Sequence, residues 1–77
     1  MRIDLNTCKK GDILISKQGV RMFYESKLNP EIDYYDHKVK YEDENVGFGT
    51  RTNDGFVMRN EGSRLETDRD IIEIIYV

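Results

Sequence analysis

The chain has 77 residues, of which 38% are hydrophobic and 35% are charged, and its formal net charge is −3 at pH 7. This length predicts one domain over residues 1–77, with a thin core and no room for an enclosed cofactor pocket, so we expect no cofactor. A single cysteine excludes an intrachain disulfide framework and a Cys-x-x-Cys zinc site, and we expect no bound metal.

The cellular compartment is predicted from the same features. No stretch approaches the ~20 apolar residues of a membrane-spanning helix, and the N-terminal residues contain no apolar signal core. The lone cysteine, Cys8, favours a reducing compartment. We therefore expect a cytoplasmic protein that does not bind membranes.

The first part of the chain is predicted to form two strands. A β-branched run at residues 13–15 follows a Gly-Asp pair, which commonly precedes a strand. Gly19 then provides a turn. Residues 20–28 alternate with a period of two, which places Met22 and Tyr24 on one face and Phe23 among charged residues on the other.

Residues 29–36 are predicted to form an irregular loop. Pro30 favours an extended Asn29, and the acids at positions 31, 33 and 36 keep this loop in water. Two further alternating runs, at residues 37–42 and 46–52, are predicted to be strands with an acidic turn between them.

The last part of the chain is predicted to contain two turns and a closing strand. Asp54 and Gly55 favour a hairpin turn of type I′, which needs positive φ at both central positions. Residues 56–59 lead away from it, residues 66–70 predict one 3₁₀-type turn capped by Thr67 or Asp68, and residues 71–77 predict a strand.

This succession of about five or six short strands with turns between them predicts an all-β fold. An open sheet would leave the Ile-rich last strand exposed on one face. We therefore expect the strands to close into a small antiparallel barrel.

The stretch GFGTRTNDGF at residues 47–56 begins like a phosphate-binding loop. A dinucleotide-binding fingerprint needs a third glycine and a following helix, whereas Thr52 occupies the third position and strand-like residues follow. The chain also contains no Gly-Lys-Ser or Gly-Lys-Thr sequence. We interpret Gly47 and Gly49 as marks of a bulge or bend.

No catalytic constellation is predicted, and we expect a protein that is not an enzyme. His37 is the only histidine, and Asp36 points to the other face of the strand, so His37 is expected to lie in solvent. Cys8 is expected to be an incidental thiol. The acids at residues 42–44 are expected to form a solvated turn.

Tyr34 and Tyr35 are the leading candidates for binding a protein partner. Two aromatic residues in one acidic loop do not both fit into so small a core, and an exposed tyrosine offers a flat contact surface. Arg51 and Arg59 flank the 53–55 turn and are candidates for a cationic pair on the same face. The expected function is that of a non-enzymatic module that binds another protein.

Nucleic-acid binding is the alternative function. Its candidate residues are the cations of the N-terminal strands and one aromatic side chain: Lys9, Lys10, Lys17, Arg21, Phe23 and Lys27. The net negative charge ranks it second, because binding without sequence preference depends mainly on neutralising phosphates. A homo-oligomer formed through residues 71–77 is expected if that strand lies at an open edge.

Three runs of the sequence, KKGDILISKQGVRMFYE, YYDHKVKYEDE…GTRTNDGFV and DRDIIEII, resemble small SH3-like β-barrel proteins of bacteria and phages. In those proteins a Gly-Asp pair opens the barrel, a central hairpin carries an acidic turn, and an Asp-Ile strand closes the chain. The resemblance spans most of residues 9–76 and implies an SH3-like barrel. Such barrels bind peptides, bind nucleic acids or serve structural roles, so the resemblance implies no single function.

The resemblance also bears on the type of ligand. In peptide-binding SH3-like barrels the ligand lies against aromatic residues on loops, which points to Tyr34 and Tyr35. The tryptophan and the ordered aromatic series of polyproline-binding SH3 domains are absent from this sequence. Polyproline recognition is therefore not expected.

Overall fold

The computed structural model describes residues 3–57 and 66–77, which form an all-β fold. The strands are β1 (Ile13–Ser16), β2 (Arg21–Lys27), β3 (His37–Tyr41), β4 (Phe48–Arg51) and β5 (Ile71–Ile75). A 3₁₀ turn at Leu5–Thr7 precedes them, and a short helix, α1 (Pro30–Asp33), joins β2 to β3. The strands pair antiparallel in one sheet of order β4-β3-β2-β1-β5, which confirms the predicted fold class.

The two edge strands, β4 and β5, approach each other without pairing, so the sheet is not closed by a hydrogen-bonded ladder among the described residues. Two contacts bridge this gap at one corner. The Ile71 N–H donates to the Gly55 carbonyl at 2.9 Å, and the Arg51 Nε donates to the Arg69 carbonyl at 3.3 Å. The resemblance to SH3-like barrels stays a prediction.

One face of the sheet carries the core, and the period-two pattern of the sequence explains its membership. Met22 and Tyr24 are both buried, as their shared register predicted. The complete buried apolar cluster within the described ranges is Leu5, Leu14, Met22, Tyr24, Val39 and Ile71. Burying a side chain of this size stabilises the fold by about 1.5–3 kcal/mol, so the six together contribute about 9–18 kcal/mol.

Phe23 lies on the outer face of the sheet, where the sequence placed it among charges. Its neighbours across the strands explain why it is only half-buried: it pairs with Ile13 on one side and with Lys40 on the other. Ile13 pairs in turn with Ile75. A short apolar row therefore runs across three strands on the face opposite the core.

Gly49 is required by the packing of β4. A Cβ at this position would lie 2.8 Å from the Tyr41 Cε2 and 3.2 Å from the Arg51 Nη1, closer than side-chain atoms tolerate. Gly47 has φ +81° and ends the turn before β4. Gly47 therefore marks a bend, as predicted, whereas Gly49 pairs regularly with Val39 inside β4 and marks close packing rather than the predicted bulge.

The turn at residues 53–55 differs from the predicted type. Among these three residues only Gly55 has positive φ, at +85°. The Gly55 N–H donates to the Thr52 carbonyl, and the Thr52 N–H donates to the Phe56 carbonyl, both at 3.0 Å. This is a three-residue loop with a left-handed glycine, so the type I′ prediction was wrong. The Thr52 hydroxyl accepts from the Phe56 N–H at 3.1 Å and fixes the longer loop.

A buried aspartate precedes β5 and organises the turn at residues 67–70. The Asp70 N–H donates to the Thr67 carbonyl at 3.2 Å, and the Thr67 N–H donates to the Asp70 Oδ2 at 2.8 Å. The remaining oxygen, Oδ1, accepts the Val57 N–H at 2.9 Å. The predicted turn is present, and the Thr67 hydroxyl caps it as expected by accepting the Arg69 N–H at 3.3 Å, while the Asp70 carboxylate adds a second cap.

The same arrangement precedes β1. The Asp12 N–H donates to the Lys9 carbonyl at 3.0 Å, and the Lys9 N–H donates to the Asp12 Oδ2 at 2.9 Å. The Asp12 Oδ1 accepts the Val77 N–H at 3.0 Å. The backbone N–H groups of Lys9 and Val77 hold the pKa of Asp12 below its usual value, against the effect of burial. The adjacent strands β1 and β5 are thus each preceded by a buried aspartate that fixes the turn before the strand.

Candidate functional site

The segment at residues 29–36 contains more structure than the irregular loop that the sequence predicted. Asn29 is extended, as Pro30 requires, and its Oδ1 accepts the Glu31 N–H at 3.1 Å. The Asp33 N–H donates to the Asn29 carbonyl at 2.7 Å, and the Asn29 N–H donates to the Asp33 Oδ2 at 3.1 Å. These reciprocal caps close a single turn of helix, α1, so the segment holds a defined conformation.

Tyr34 ends this helical turn in a conformation that tyrosine rarely adopts. Its φ is +68°, and no other non-glycine residue of the described ranges has positive φ. The left-handed conformation costs an L-residue with a Cβ about 1–2 kcal/mol. The side chain is nevertheless 60% exposed. Its ring meets the Tyr35 ring edge to face, with centroids 5.5 Å apart.

Tyr35 attaches the loop to the body of the domain. Its hydroxyl donates to the Val57 carbonyl at 2.5 Å, and its side chain is half-buried. The Leu28 N–H donates to the Asp36 carbonyl at 2.9 Å and closes the base of the loop. The two tyrosines therefore have different roles: Tyr35 anchors the loop, and Tyr34 is presented at its surface.

Ile32 lies two residues before Tyr34 in the chain and is the most exposed large apolar residue described, at 80%. Next to the loop, a groove of about 380 Å³ runs along β3 and β4. Phe48, 53% exposed, lines it, and the Lys38 Nζ lies 4.4 Å from the centre of the Phe48 ring. We call Ile32 and Tyr34 the loop tip.

Arg51 is buried rather than presented on the surface, with an exposed fraction of 2%. Its Nη1 donates to the Thr50 carbonyl at 2.7 Å, and its Nη2 donates to the Tyr41 hydroxyl at 2.7 Å and to the Arg69 carbonyl at 3.1 Å. Arg59, its predicted partner in a cationic pair, lies outside the described residues. The guanidinium of Arg51 holds the edges of the sheet together.

The cations of the predicted nucleic-acid face are largely paired with acids. The pairs are Lys9 with Asp12, Lys10 with Glu25, Lys17 with Glu66 and Arg21 with Glu42, with N–O distances from 2.7 to 3.7 Å. Of this set only Lys27 has no acidic partner in residues 3–57 and 66–77. A phosphate backbone would have to displace these carboxylates, which weakens the argument for nucleic-acid binding.

His37 is fully buried, so the prediction that it lies in solvent was wrong. The Tyr24 hydroxyl lies 2.8 Å from its Nδ1, and the Asn53 Oδ1 lies 2.8 Å from its Nε2. The neutral ring, protonated on Nε2, satisfies both contacts. Burial lowers its pKa, and the hydrogen bond that its Nε2–H donates to Asn53 opposes that shift. The alternation of His37 with Val39 contained the signal for burial, because residues two apart in a strand share a face.

Cys8 is half-buried and unreactive by its electrostatics. Burial, together with the neighbouring Asp12 and Asp4, raises the pKa of its thiol to about 11, and Lys9 opposes this shift only weakly. The thiolate is the nucleophilic form of cysteine, so this environment suppresses nucleophilic chemistry. In the part of the chain described, no group of three His, Cys, Asp or Glu side chains is arranged to hold a metal ion.

None of the described helices is long and apolar enough to cross a membrane. Comparisons with protein-family models, with curated proteins and with solved structures gave no match for this chain.

Proposed function

We propose that this protein is a non-enzymatic module that binds a protein partner through the loop tip, Ile32 and Tyr34. The observation that carries the proposal is the strained, exposed position of Tyr34. Strained backbone conformations cluster at binding and catalytic sites, where the surrounding structure holds them in place. The left-handed backbone of Tyr34 costs the fold about 1–2 kcal/mol, and the residue stays 60% exposed although its ring contacts Tyr35.

The loop is also prepared for binding before a partner arrives. Its reciprocal Asn29–Asp33 caps, its proline and the Tyr35 anchor fix the backbone. A partner therefore spends little free energy on ordering the loop, which raises affinity for a given contact area. Tyrosine is enriched among the residues that dominate protein interfaces.

The acidic residues near the loop tip indicate which kind of partner surface would complement it. Glu31, Asp33 and Asp36 each lie within two residues of Ile32 or Tyr34 in the chain. A partner with an apolar depression and a basic rim complements this arrangement, because opposite charges at the rim speed association and exclude wrong partners.

The test is capture of a partner by the whole chain, with a photo-crosslinking amino acid at position 36 beside the loop tip. We expect one dominant crosslinked protein from a lysate of the native host. The double variant Ile32→Ser and Tyr34→Gly should reduce its yield about tenfold or more while the melting temperature is kept.

Ile72→Ser is the matched control. Ile72 is an exposed isoleucine in β5, which β1 and β2 separate from β3 in the sheet, so its loss removes similar apolar surface away from the loop. Capture should be unchanged in this variant. Equal yields from the wild type and the double variant would remove the loop tip from the binding site.

A further inference from the structure

A second groove, distinct from the loop tip, lies at the other end of β3. It has a volume of about 200 Å³, room for one or two side chains. Its lining is mostly apolar and contains no acidic residue: Ser16, Gln18, Val20, Met22, Tyr41, Val46 and Arg69. Val20 and Val46 form walls that are 38% and 57% exposed, so the groove is accessible from solvent.

Positive charge is concentrated beneath and beside this groove. The buried guanidinium of Arg51 lies against its floor, with Nη2 4.0 Å from the Met22 sulfur and 2.7 Å from the Tyr41 hydroxyl. Its hydrogen-bond acceptors are neutral, and no carboxylate of the described ranges lies within 4.0 Å of it. Arg69, at the rim, likewise forms no ion pair with any described residue.

Tyr41 supplies a directed donor at the floor. Its ring is held against Gly49, where a Cβ would overlap it, and its hydroxyl oxygen accepts from Arg51. The hydroxyl proton has no acceptor among residues 3–57 and 66–77. A hydroxyl that accepts a hydrogen bond from a cation becomes a better donor. The groove thus combines apolar walls, one hydroxyl donor and one exposed guanidinium.

We propose that this groove binds the C-terminal residue of a partner polypeptide, with an aliphatic side chain between Val20 and Val46. The free α-carboxylate of that residue accepts from the Arg69 guanidinium and the Tyr41 hydroxyl. A chain terminus is the fitting source, because it carries a carboxylate and an apolar side chain on one Cα and so fits the small volume. Guanidinium groups bind carboxylates through paired hydrogen bonds.

The test is a titration with a fluorescein-labelled pentapeptide, Gly-Ser-Gly-Ser-Leu, with a free C-terminal carboxylate. The comparison peptides are its C-terminal amide, a version that ends in glycine, and an amidated peptide with an internal Leu-Asp pair. We expect the free acid to bind, and each comparison peptide to bind about tenfold more weakly or less. Affinity should fall as salt concentration rises.

Substitutions in the protein test whether the peptide binds in this groove. Arg69→Gln and Val46→Ser should each weaken binding about fivefold or more. Arg21→Gln is the control, because it removes a guanidinium from the face of β2 opposite Met22. The Ile32→Ser and Tyr34→Gly variant should bind the peptide normally, which separates this site from the loop tip. Absence of binding at millimolar peptide, equal binding of acid and amide, or full affinity in Arg69→Gln would overturn the proposal.

Discussion

The conformation of Tyr34 makes a prediction whose sign is unusual. At most positions that are not left-handed, replacing alanine by glycine destabilises a protein by about 0.5–1 kcal/mol, because glycine loses more backbone entropy on folding. At φ +68° a Cβ costs about 1–2 kcal/mol. The second effect exceeds the first, so Tyr34→Gly should be more stable than Tyr34→Ala by about 0.5–1 kcal/mol.

Comparing Tyr34→Gly with Tyr34→Ala makes it unnecessary to know how much the Tyr34 ring contributes to stability. Each loses the Tyr34 ring and its edge-to-face contact with Tyr35, so that contribution cancels in the difference. For a domain of this size, a difference of 1 kcal/mol corresponds to roughly 4–8 °C in melting temperature. Urea denaturation with a common slope for both variants measures it. If Tyr34→Ala proves as stable as Tyr34→Gly, the left-handed assignment fails, and the strain argument for the loop tip fails with it.

Three further predictions concern buried groups. Burial lowers the pKa of His37, so the unfolded chain takes up the proton at a higher pH than the folded chain does. The free energy of unfolding should therefore decline as pH falls below about 6.5. Urea denaturation at pH 8 and pH 5 should show a smaller decline in His37→Asn. A thiol pKa of about 11 instead of 9.0 reduces the thiolate fraction of Cys8 about 100-fold. Iodoacetamide at pH 8 should therefore alkylate Cys8 about 100-fold more slowly in the native chain than in urea. Similar alkylation rates in the two states would contradict this. Gly49→Ala should destabilise the domain by about 1–3 kcal/mol in thermal melts, whereas alanine at the exposed Ser26 of β2 should have little effect.

Much of the sheet could be predicted because buried residues alternate with more exposed ones along β1, β2 and the first part of β3. Met22, Tyr24 and Val39 lie where that pattern places them. The same rule would have buried His37, but its chemical type suggested an exposed residue. Two hydrogen bonds explain the difference, since a buried imidazole is tolerated once both ring nitrogens are paired.

The features that could not be predicted depend on contacts between distant parts of the chain. Arg51 is buried because carbonyl groups of residues 50 and 69 and the hydroxyl of Tyr41 surround it, and no local pattern indicates this. Within residues 3–57 and 66–77, likewise, no local pattern indicates that β4 and β5 stay unpaired at the two edges of the sheet. The loop was identified from its tyrosines, but only φ at Tyr34 and the hydroxyl contact of Tyr35 assign different roles to them.

The two buried aspartates, Asp12 before β1 and Asp70 before β5, have a consequence for how the domain opens. Val57 and Val77 lie outside the strands, yet each donates its amide proton to a buried carboxylate that also fixes the turn before a neighbouring strand. Such amides exchange with solvent only when their carboxylate is released. The end of the chain and the segment before β1 therefore detach as one cooperative unit, and slow deuterium uptake at Val77 reports the integrity of a turn some 65 positions away in the sequence.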